Sequence, residues 1–158
     1  MRDLKTEIHI YQAKRKDLDK AAALFNQYRQ FYKREADWNG AEQYIRERLT
    51  QGDSVIYLAD CNSGGTLVTA GFLQLYPSFS SLSMSRLWIL NDLYVDSEYR
   101  GLGIGRKLLH QAQTHALQTG AKGLTLSTQL HNVPAQHLYE SAGYVQDEEF
   151  AYYYLDLS

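Results

Sequence analysis

Hydrophobic residues recur along the chain with two different periods, and each period predicts a different kind of element. An apolar side chain at every second residue is typical of a strand, and apolar side chains three or four residues apart are typical of a helix with one buried face. The predicted elements are, in chain order, a strand at Ile8 and Ile10, helices over 17–32 and 40–49, strands over 54–59, 66–76 and 86–95, a helix over 104–119, a strand over 123–128, a helix over 132–142 and a strand over 150–157. This order predicts a mixed sheet covered by helices rather than a regularly alternating doubly wound sheet.

Turn-forming and capping residues mark the ends of these elements. The turn at 62–65 joins two predicted strands into a hairpin, Asp17 is placed to cap the first helix, and Pro134 fits the first turn of the last helix. The serine-rich stretch 77–85 is too short for a linker and predicts a functional loop. Because the sequence shows no internal repeat and no linker, we expect a single domain over residues 1–158.

Charge and cysteine content exclude several classes of protein. The 158 residues carry 16 Lys and Arg against 18 Asp and Glu, a net charge of -2, which argues against bulk binding of nucleic acid. The single cysteine, Cys61, excludes an intramolecular disulfide and a thiolate zinc cluster. The histidines show no metal-ligand spacing, and His110 and His115 on the predicted helix 104–119 are expected to face solvent. We therefore expect no metal site.

The apolar runs of the chain are short. The longest uninterrupted aliphatic and aromatic run, 87–90, is far shorter than a membrane span. The first residues lack the apolar core that a signal peptide needs. From these features we expect a cytoplasmic protein without a membrane partner.

A glycine-rich segment with three basic residues lies between the predicted strand 86–95 and the predicted helix 104–119. It reads Tyr99-Arg100-Gly101-Leu102-Gly103-Ile104-Gly105-Arg106-Lys107. Glycines let the backbone approach a ligand closely, and the unpaired N–H groups of a helix start attract phosphate oxygens. The spacing matches neither the dinucleotide-binding pattern nor the P-loop. The residues alone predict a phosphate-binding loop of open ligand identity, with a plain strand-to-helix turn as the alternative.

Two motifs together resemble the GNAT superfamily of N-acetyltransferases. Arg100-x-x-Gly103-x-Gly105 is similar to that family's R/Q-x-x-G-x-G/A signature. Asn132-x-x-Ala135-x-x-Leu138-Tyr139-x-x-x-Gly143-Tyr144 is similar to its second motif, with Tyr144 in place of the usual Phe. The resemblance implies an α/β (α+β) fold whose mixed, mostly antiparallel sheet contains two splayed parallel central strands flanked by helices, here 86–95 and 123–128. Phe31-Tyr32 and the run 89–95 also resemble a subgroup that contains fungal histone and polyamine acetyltransferases.

The resemblance implies acetyl-CoA as the acyl donor, bound between the splayed strands. The pantetheine arm would then pair with the backbone of Leu93, Tyr94 and Val95, and Asn132 would contact the pantetheine region. The pyrophosphate would lie against the glycine loop, whose implied binding residues are Arg100, Gly101, Leu102, Gly103, Ile104, Gly105 and Arg106.

Two residues are candidates for the proton transfers that acetylation of an amine requires. Tyr139 occupies the position of the general acid in the family motif, and a phenol titrates near about pH 10, so it can donate a proton at neutral pH. On periodicity alone Tyr139 would instead belong to the core stripe of its helix. Asp92 is a carboxylate in an otherwise apolar strand, where a charge is costly unless it is paired or useful. A structural hydrogen bond is the alternative role for Asp92, and alternation predicts that Asn91 points to the opposite face.

Aromatic and acidic residues gather on the segment that builds the acceptor site in GNAT enzymes. Tyr28, Tyr32, Glu35 and Trp38 suit a cationic amine through cation–π contact and charge pairing. For any one of these residues, an ordinary place on an amphipathic helix with a solvated charged end is the alternative. The implied reaction is direct transfer of an acetyl group to a primary amine, such as a small amine, a polyamine, an amino acid or a lysine side chain. The alternative function is that of a non-catalytic CoA-binding or interaction domain of the same fold. A third hypothesis is a protein that binds another phosphate-containing ligand.

Tyrosine is the unusual feature of the composition. The chain has 13 Tyr against 5 Phe and 2 Trp, and amphipathic rings of this kind suit a wet cleft or an interface. Tyr152–Tyr154 could contribute an interface strand to a homodimer, and an ordinary edge strand is the alternative.

Overall fold

The structure, a computed structural model, describes residues 5–158, which divide into two compact units. The first unit ends at Ser127, and the second spans Thr128–Ser158. The elements of the first unit are β1 (Glu7–Gln12), α1 (Leu18–Phe31), α2 (Trp38–Gln51), β2 (Val55–Ser63), β3 (Thr66–Ser80), β4 (Ser85–Val95), α3 (Ile104–Gln118) and β5 (Gly123–Thr125). The second unit contains α4 (Val133–Ser141). Organisation as a single domain stays a prediction.

The five strands form one mixed sheet in the order β1-β2-β3-β4-β5. Every neighbouring pair is antiparallel except β4 and β5, which run parallel, as the family resemblance implied. Pairing between those two strands covers only Leu87–Ile89 against Gly123–Thr125. Since β4 continues to Val95 while β5 ends at Thr125, β5 leaves the β4 edge uncovered beyond Ile89.

The hairpin between β3 and β4 is longer than predicted. The stretch 77–85, predicted as a loop, is mostly strand, because β3 extends to Ser80 and β4 begins at Ser85. The ladder between β2 and β3 ends with Val55 opposite Leu75. Pro77 therefore lies where one side of β3 is unpaired, and proline is tolerated on such an edge.

The predicted strand over 150–157 is absent, and the predicted strand 123–128 is shortened to β5. Residues 150–157 are exposed and adopt no strand. The nearby Asp147 carboxylate accepts hydrogen bonds from the backbone N–H groups of Glu149 and Phe150 and from the Tyr152 hydroxyl. The β propensity of Phe and Tyr in this stretch measures how a side chain fits a paired, pleated surface and does not create a partner strand.

Helix ends follow local hydrogen bonding that the sequence indicated only in part. Asp17 precedes α1, but its carboxylate accepts from Lys14 N at 3.0 Å in the preceding turn and makes no cap bond to α1, so the predicted cap is wrong. Helix α2 begins before residue 40 because Asp37 accepts from Gly40 N at 2.9 Å. Within residues 5–158, no helix has the length and apolar character needed to cross a bilayer.

The helices of the first unit cover both faces of the sheet. Ile56 and Leu58 of β2 join the core cluster that contains Leu24 of α1 and Ile45 of α2. Tyr57, between them in sequence, contacts His115 of α3 instead. Because neighbouring strand residues point to opposite faces, α3 packs on the face away from α1 and α2.

Helix α3 approaches the sheet closely at a glycine. A Cβ built on Gly71 of β3 would lie 2.7 Å from Cγ2 of Ile104 and 3.0 Å from Cδ1 of Leu108, and both side chains are buried. Only hydrogen fits in this space. The absence of a side chain at Gly71 therefore allows the first turn of α3 to lie close to β3. Gly71 is paired there with Val95 of β4.

Replacing Gly71 by alanine is expected to lower the free energy of unfolding by about 1–3 kcal/mol, the usual cost of overpacking a core. Denaturant unfolding measures this loss. Gly123→Ala is the matched control, since its Cβ would meet only Leu87 Cδ2 at 3.8 Å. Equal stability losses in the two variants would contradict the close approach at Gly71.

His115 is packed against the sheet, so its predicted exposure to solvent is wrong. Tyr57 Oη lies 2.8 Å from His115 Nδ1, and the imidazole meets the Trp88 ring edge-on with 4.8 Å between centroids. Burial lowers the pKa of His115, and the positive charge of Arg86 lowers it further. The folded state therefore favours the neutral imidazole.

Because the pKa of His115 is lowered, we expect this histidine to make the protein less stable as the pH is lowered. As pH drops below the ordinary histidine pKa of about 6.5, the unfolded chain takes up a proton before the folded chain does, so the unfolding free energy decreases. His115→Gln is neutral at every pH and should show a shallower decrease in denaturant unfolding between about pH 7 and pH 5. His110→Gln, an exposed position on the same helix, should keep the wild-type slope. An unchanged slope in His115→Gln would contradict the assignment.

Candidate active site

The glycine segment forms the turn into α3 that its sequence indicated. Gly101 and Gly103 have φ angles of 78° and 85°, in the left-handed region that favours glycine, and Gly103 is the N-cap of α3. The first helical bond runs from Lys107 N to the Gly103 carbonyl, 3.1 Å. The N–H groups of Ile104, Gly105 and Arg106 therefore have no acceptor within the helix and are oriented for an anion. The exposed Arg100, Leu102, Arg106 and Lys107 side chains surround this turn.

Arg100 ties the glycine turn to two other elements. Its Nε donates to the Val95 carbonyl at the end of β4, 3.1 Å away. Its guanidinium carbon lies 5.3 Å from the ring centroid of Phe31 in α1 and 5.7 Å from that of Tyr94 in β4. These cation–π contacts hold the turn against α1 and β4.

The last residues of β4 form a strand edge next to this turn. Leu93, Tyr94 and Val95 are half-buried and pair on one side with β3. On the other side, the ladder with β5 has already ended at Ile89. The Val95 carbonyl accepts from Arg100 Nε, and the other N–H and C=O groups along such an edge can bind an extended ligand as an added strand.

Asp92 is a buried carboxylate, 3% exposed, at an irregularity of β4. Gln74 of β3 is paired with Asp92 and Leu75 with Leu90, which makes Asn91 the extra residue of a β-bulge. The bulge brings the Asn91 amide to 3.2 Å from Asp92 Oδ1 as a donor. The strict alternation that predicts opposite faces for these two side chains is interrupted at this bulge.

Three side chains donate hydrogen bonds to the Asp92 carboxylate. Gln74 Nε2 lies 2.6 Å from Oδ2, Asn91 Nδ2 bonds Oδ1, and the Tyr28 side chain provides the third bond. Burial nevertheless raises the pKa of Asp92, and the three hydrogen bonds only partly oppose that effect. A carboxylate with a raised pKa is better matched to accepting a proton near neutral pH.

Aromatic rings of α1 surround the approach to Asp92. The Tyr28 ring meets Tyr32 edge-on, with centroids 4.9 Å apart, and lies 6.4 Å from the Tyr94 ring. Phe31 packs against both Tyr32 and Tyr94. Burial raises the pKa of Tyr32, and the nearby charge of Asp92 adds to the rise. Tyr28 and Tyr32 thus lie together with Asp92 and with Tyr94 of β4.

The other two predicted acceptor residues belong to the connection after α1 and to the start of α2. Glu35 is exposed in the connection between α1 and α2, where its carbonyl accepts from Arg29. Trp38 is the first residue of α2 and is 44% exposed.

Sequence reasoning missed two residues of this site, Gln74 and Ser54. The Gln74 side chain is fully buried, and its Oε1 accepts from Ser54 Oγ at 2.9 Å. A single polar residue within the apolar run 71–75 was the available signal, since a buried amide must find partners.

The second unit holds the remaining predicted site residues. Asn132 is the N-cap of α4, where its Oδ1 accepts from Ala135 N at 3.3 Å. Tyr139 is half-buried on α4, and its ring meets Tyr144 edge-on with centroids 6.0 Å apart. The oxygen of Asn132 is thus used in capping, while its amide nitrogen keeps two donors for a ligand.

Comparison with known proteins places the chain among acetyltransferases. A model of the Acetyltransferase (GNAT) family matches residues 18–144. The chain is 47% identical over 150 residues to YhfO, an uncharacterized N-acetyltransferase of Bacillus subtilis (strain 168), which covers 95% of this chain and 98% of that protein. It is 23% identical over 123 residues to aminoglycoside N(6')-acetyltransferase type 1 of Stenotrophomonas maltophilia, covering 76% of this chain and 80% of that one.

A solved structure gives the same result for the fold. The crystal structure of a probable acetyltransferase superposes with a TM-score of 0.88 at 42% identity, covering 95% of this chain and 98% of the other. The predicted GNAT-like α/β fold is thereby confirmed.

Proposed function

The chain belongs to the GNAT family of acetyltransferases, and we propose that it transfers an acetyl group from acetyl-CoA directly to the nitrogen of a primary amine. The observation that carries this proposal is the buried Asp92 carboxylate beside the open edge of β4, which leads into the glycine turn. The reaction requires a site for an extended donor that carries phosphate groups, which the strand edge and the glycine turn would provide. It also requires a group that accepts a proton from the amine, which Asp92 would provide.

The chain's residues fit acetyl-CoA in shape and charge. The N–H groups of the first turn of α3 and the basic Arg106 would hold the pyrophosphate, and the edge of Leu93–Val95 that β5 leaves uncovered would pair with the pantetheine arm. Asn132 would offer its amide nitrogen to the same arm. When bound, acetyl-CoA supplies an acetyl group activated as a thioester.

Asp92 and Tyr139 would carry the two proton transfers. Asp92 would take a proton from the acceptor's ammonium group, since only the neutral amine has a lone pair for attack. Tyr139 would give its phenol proton to the departing sulfur, by analogy with the family position that it occupies. Both roles are proposals drawn from residue chemistry and motif position.

The acceptor is proposed to be a cationic amine. The half-buried rings of Tyr28 and Tyr32 near the Asp92 carboxylate suit an ammonium group, because aromatic faces and a negative charge both attract a cation. The Stenotrophomonas relative is an aminoglycoside acetyltransferase by name, and aminoglycosides are polycationic. Similarity to the fungal histone and polyamine subgroup, a cytoplasmic location and a homodimer stay predictions.

A thiol-release assay with acetyl-CoA tests the proposed activity. Polyamines, aminoglycosides, amino acids and lysine-containing peptides are offered in turn, and CoA release that depends on one of them is the expected result. Acetyl-CoA should also raise the melting temperature of the protein, since a ligand that binds only the folded state stabilises it. Stabilisation without release over the whole panel would favour a non-catalytic CoA-binding domain, and stabilisation by nucleotides alone would favour a different phosphate ligand.

A further inference from the structure

We propose that Tyr28 is a catalytic residue that relays the proton of the acceptor's ammonium group to Asp92, so that the amine never has to touch the buried carboxylate. This inference rests on the acetyl transfer proposed above and names the group that mediates its first proton transfer.

Burial keeps Asp92 away from an incoming amine. The residue is only 3% exposed, and Oδ2 accepts the 2.6 Å bond from Gln74. The Gln74 amide cannot turn to release it, because its own oxygen accepts from Ser54 Oγ. Asn91 occupies Oδ1. A proton must therefore reach the carboxylate through a group that already contacts it and is itself accessible.

Tyr28 combines these two properties. Its side chain hydrogen-bonds Asp92, and it is half-buried rather than enclosed. Its ring lies against Tyr32 on the acceptor side and 6.4 Å from the ring of Tyr94 on the proposed cofactor strand. The amide donors Gln74 and Asn91 cannot relay a proton at ordinary pH, whereas a hydroxyl both donates and accepts.

The relay changes only N–H and O–H bonds. The Tyr28 hydroxyl gives its proton to a carboxylate oxygen of Asp92 while it accepts a proton from the ammonium nitrogen. The products are a neutral amine, an intact phenol and a neutral carboxylic acid at Asp92. Asp92 later returns its proton to solvent by the reverse path through Tyr28, which restores the carboxylate for the next cycle.

The groups that face Asp92 come from three elements. Tyr28 and Tyr32 face it from α1, Gln74 and Tyr76 from β3, and Asn91 from β4 itself. All are uncharged at neutral pH. Burial in these surroundings raises the pKa of Asp92. The carboxylate therefore binds a proton more readily near neutral pH, as the final base of a relay must.

Tyr28→Phe tests the relay because it removes the hydroxyl and keeps the ring contacts. We expect kcat/KM for the best amine of the panel to fall about tenfold to a hundredfold near pH 7, less than for a base removed outright, since a water molecule can fill the space. The loss should shrink as pH rises towards the pKa of the amine, because free amine then needs no base. A merely structural role would give the same loss at every pH.

A second measurement does not depend on turnover. Titration of the Asp92 side-chain carboxyl by carbon NMR should show a higher pKa in Tyr28→Phe than in the wild type, because one hydrogen bond to the charged form is lost. Tyr44→Phe is the matched control. It removes another phenol of the same aromatic cluster, whose hydroxyl lies 2.6 Å from that of Tyr76 rather than at Asp92, and should leave the pH profile unchanged.

The outcomes separate the relay from the proposed function. A moved Asp92 titration together with a pH-dependent loss of activity supports the relay. An unchanged titration, or a moved titration with a loss that is equal at every pH, overturns the relay while acetyl transfer by the wild type stands. A wild type that acetylates no amine overturns both.

Discussion

Replacing Tyr139 by phenylalanine is expected to lower kcat about 10²- to 10⁴-fold, the usual contribution of a positioned general acid. The departing sulfur would then leave without the phenol proton. The KM for acetyl-CoA should change little, because the ring and its edge-on contact with Tyr144 remain. Steady-state kinetics with varied acetyl-CoA at saturating amine separates the two parameters.

Tyr144→Phe is the control for that substitution. Its hydroxyl is buried without a hydrogen-bond partner among the described residues, and burial raises its pKa. Removing an unsatisfied hydroxyl should leave kcat unchanged and should not lower stability. If Tyr139→Phe retains the wild-type kcat across the pH range, Tyr139 is not the acid.

Replacing both Gly101 and Gly103 by alanine is expected to weaken acetyl-CoA binding severely. Both residues have positive φ, and a left-handed conformation costs an alanine about 1–2 kcal/mol. If the free loop relaxes and must return to this shape around the pyrophosphate, the two alanines together cost about 2–4 kcal/mol. The Kd then rises by roughly 30- to 700-fold, at 1.4 kcal/mol for each factor of ten. Isothermal titration with acetyl-CoA measures the change.

Gly64→Ala supplies the matched control for the loop. Gly64 also has positive φ, 63°, and a Cβ there would meet nothing within 4 Å, but it lies in the turn between β2 and β3. It should lower stability through the same backbone strain and leave the Kd for acetyl-CoA unchanged. Wild-type affinity in the Gly101→Ala, Gly103→Ala double variant would show that the glycine turn does not hold the donor.

The features of the site that could be predicted are those set by residues close together in sequence. The turn into α3 was expected from the three glycines and the apolar stripe that follows, and the helix begins at Ile104 as predicted. These features depend on residues close in sequence, where conformational preference acts directly. The candidate role of Asp92 was also visible, because a lone carboxylate in an apolar strand stands out.

The surroundings of Asp92 could not be predicted, because they depend on strand register. Gln74 meets Asp92 only through the pairing of β3 with β4, and the bulge at Asn91 breaks the alternation on which sequence reasoning relies. His115 was missed for a related reason. Its helical position borders the apolar stripe, and only the packing of α3 against Tyr57 and Trp88 decides that it is buried.

Direct acetyl transfer is tested most directly by following an isotopically labelled acetyl group by mass spectrometry. The wild-type protein is mixed with labelled acetyl-CoA, first alone and then with a mixture of polyamine, aminoglycoside and lysine peptide. We expect unmodified protein in both samples and the label in an amide of one of the amines. Unlabelled amines, or a labelled protein that forms before the amines are added and loses its label to them, would contradict direct transfer.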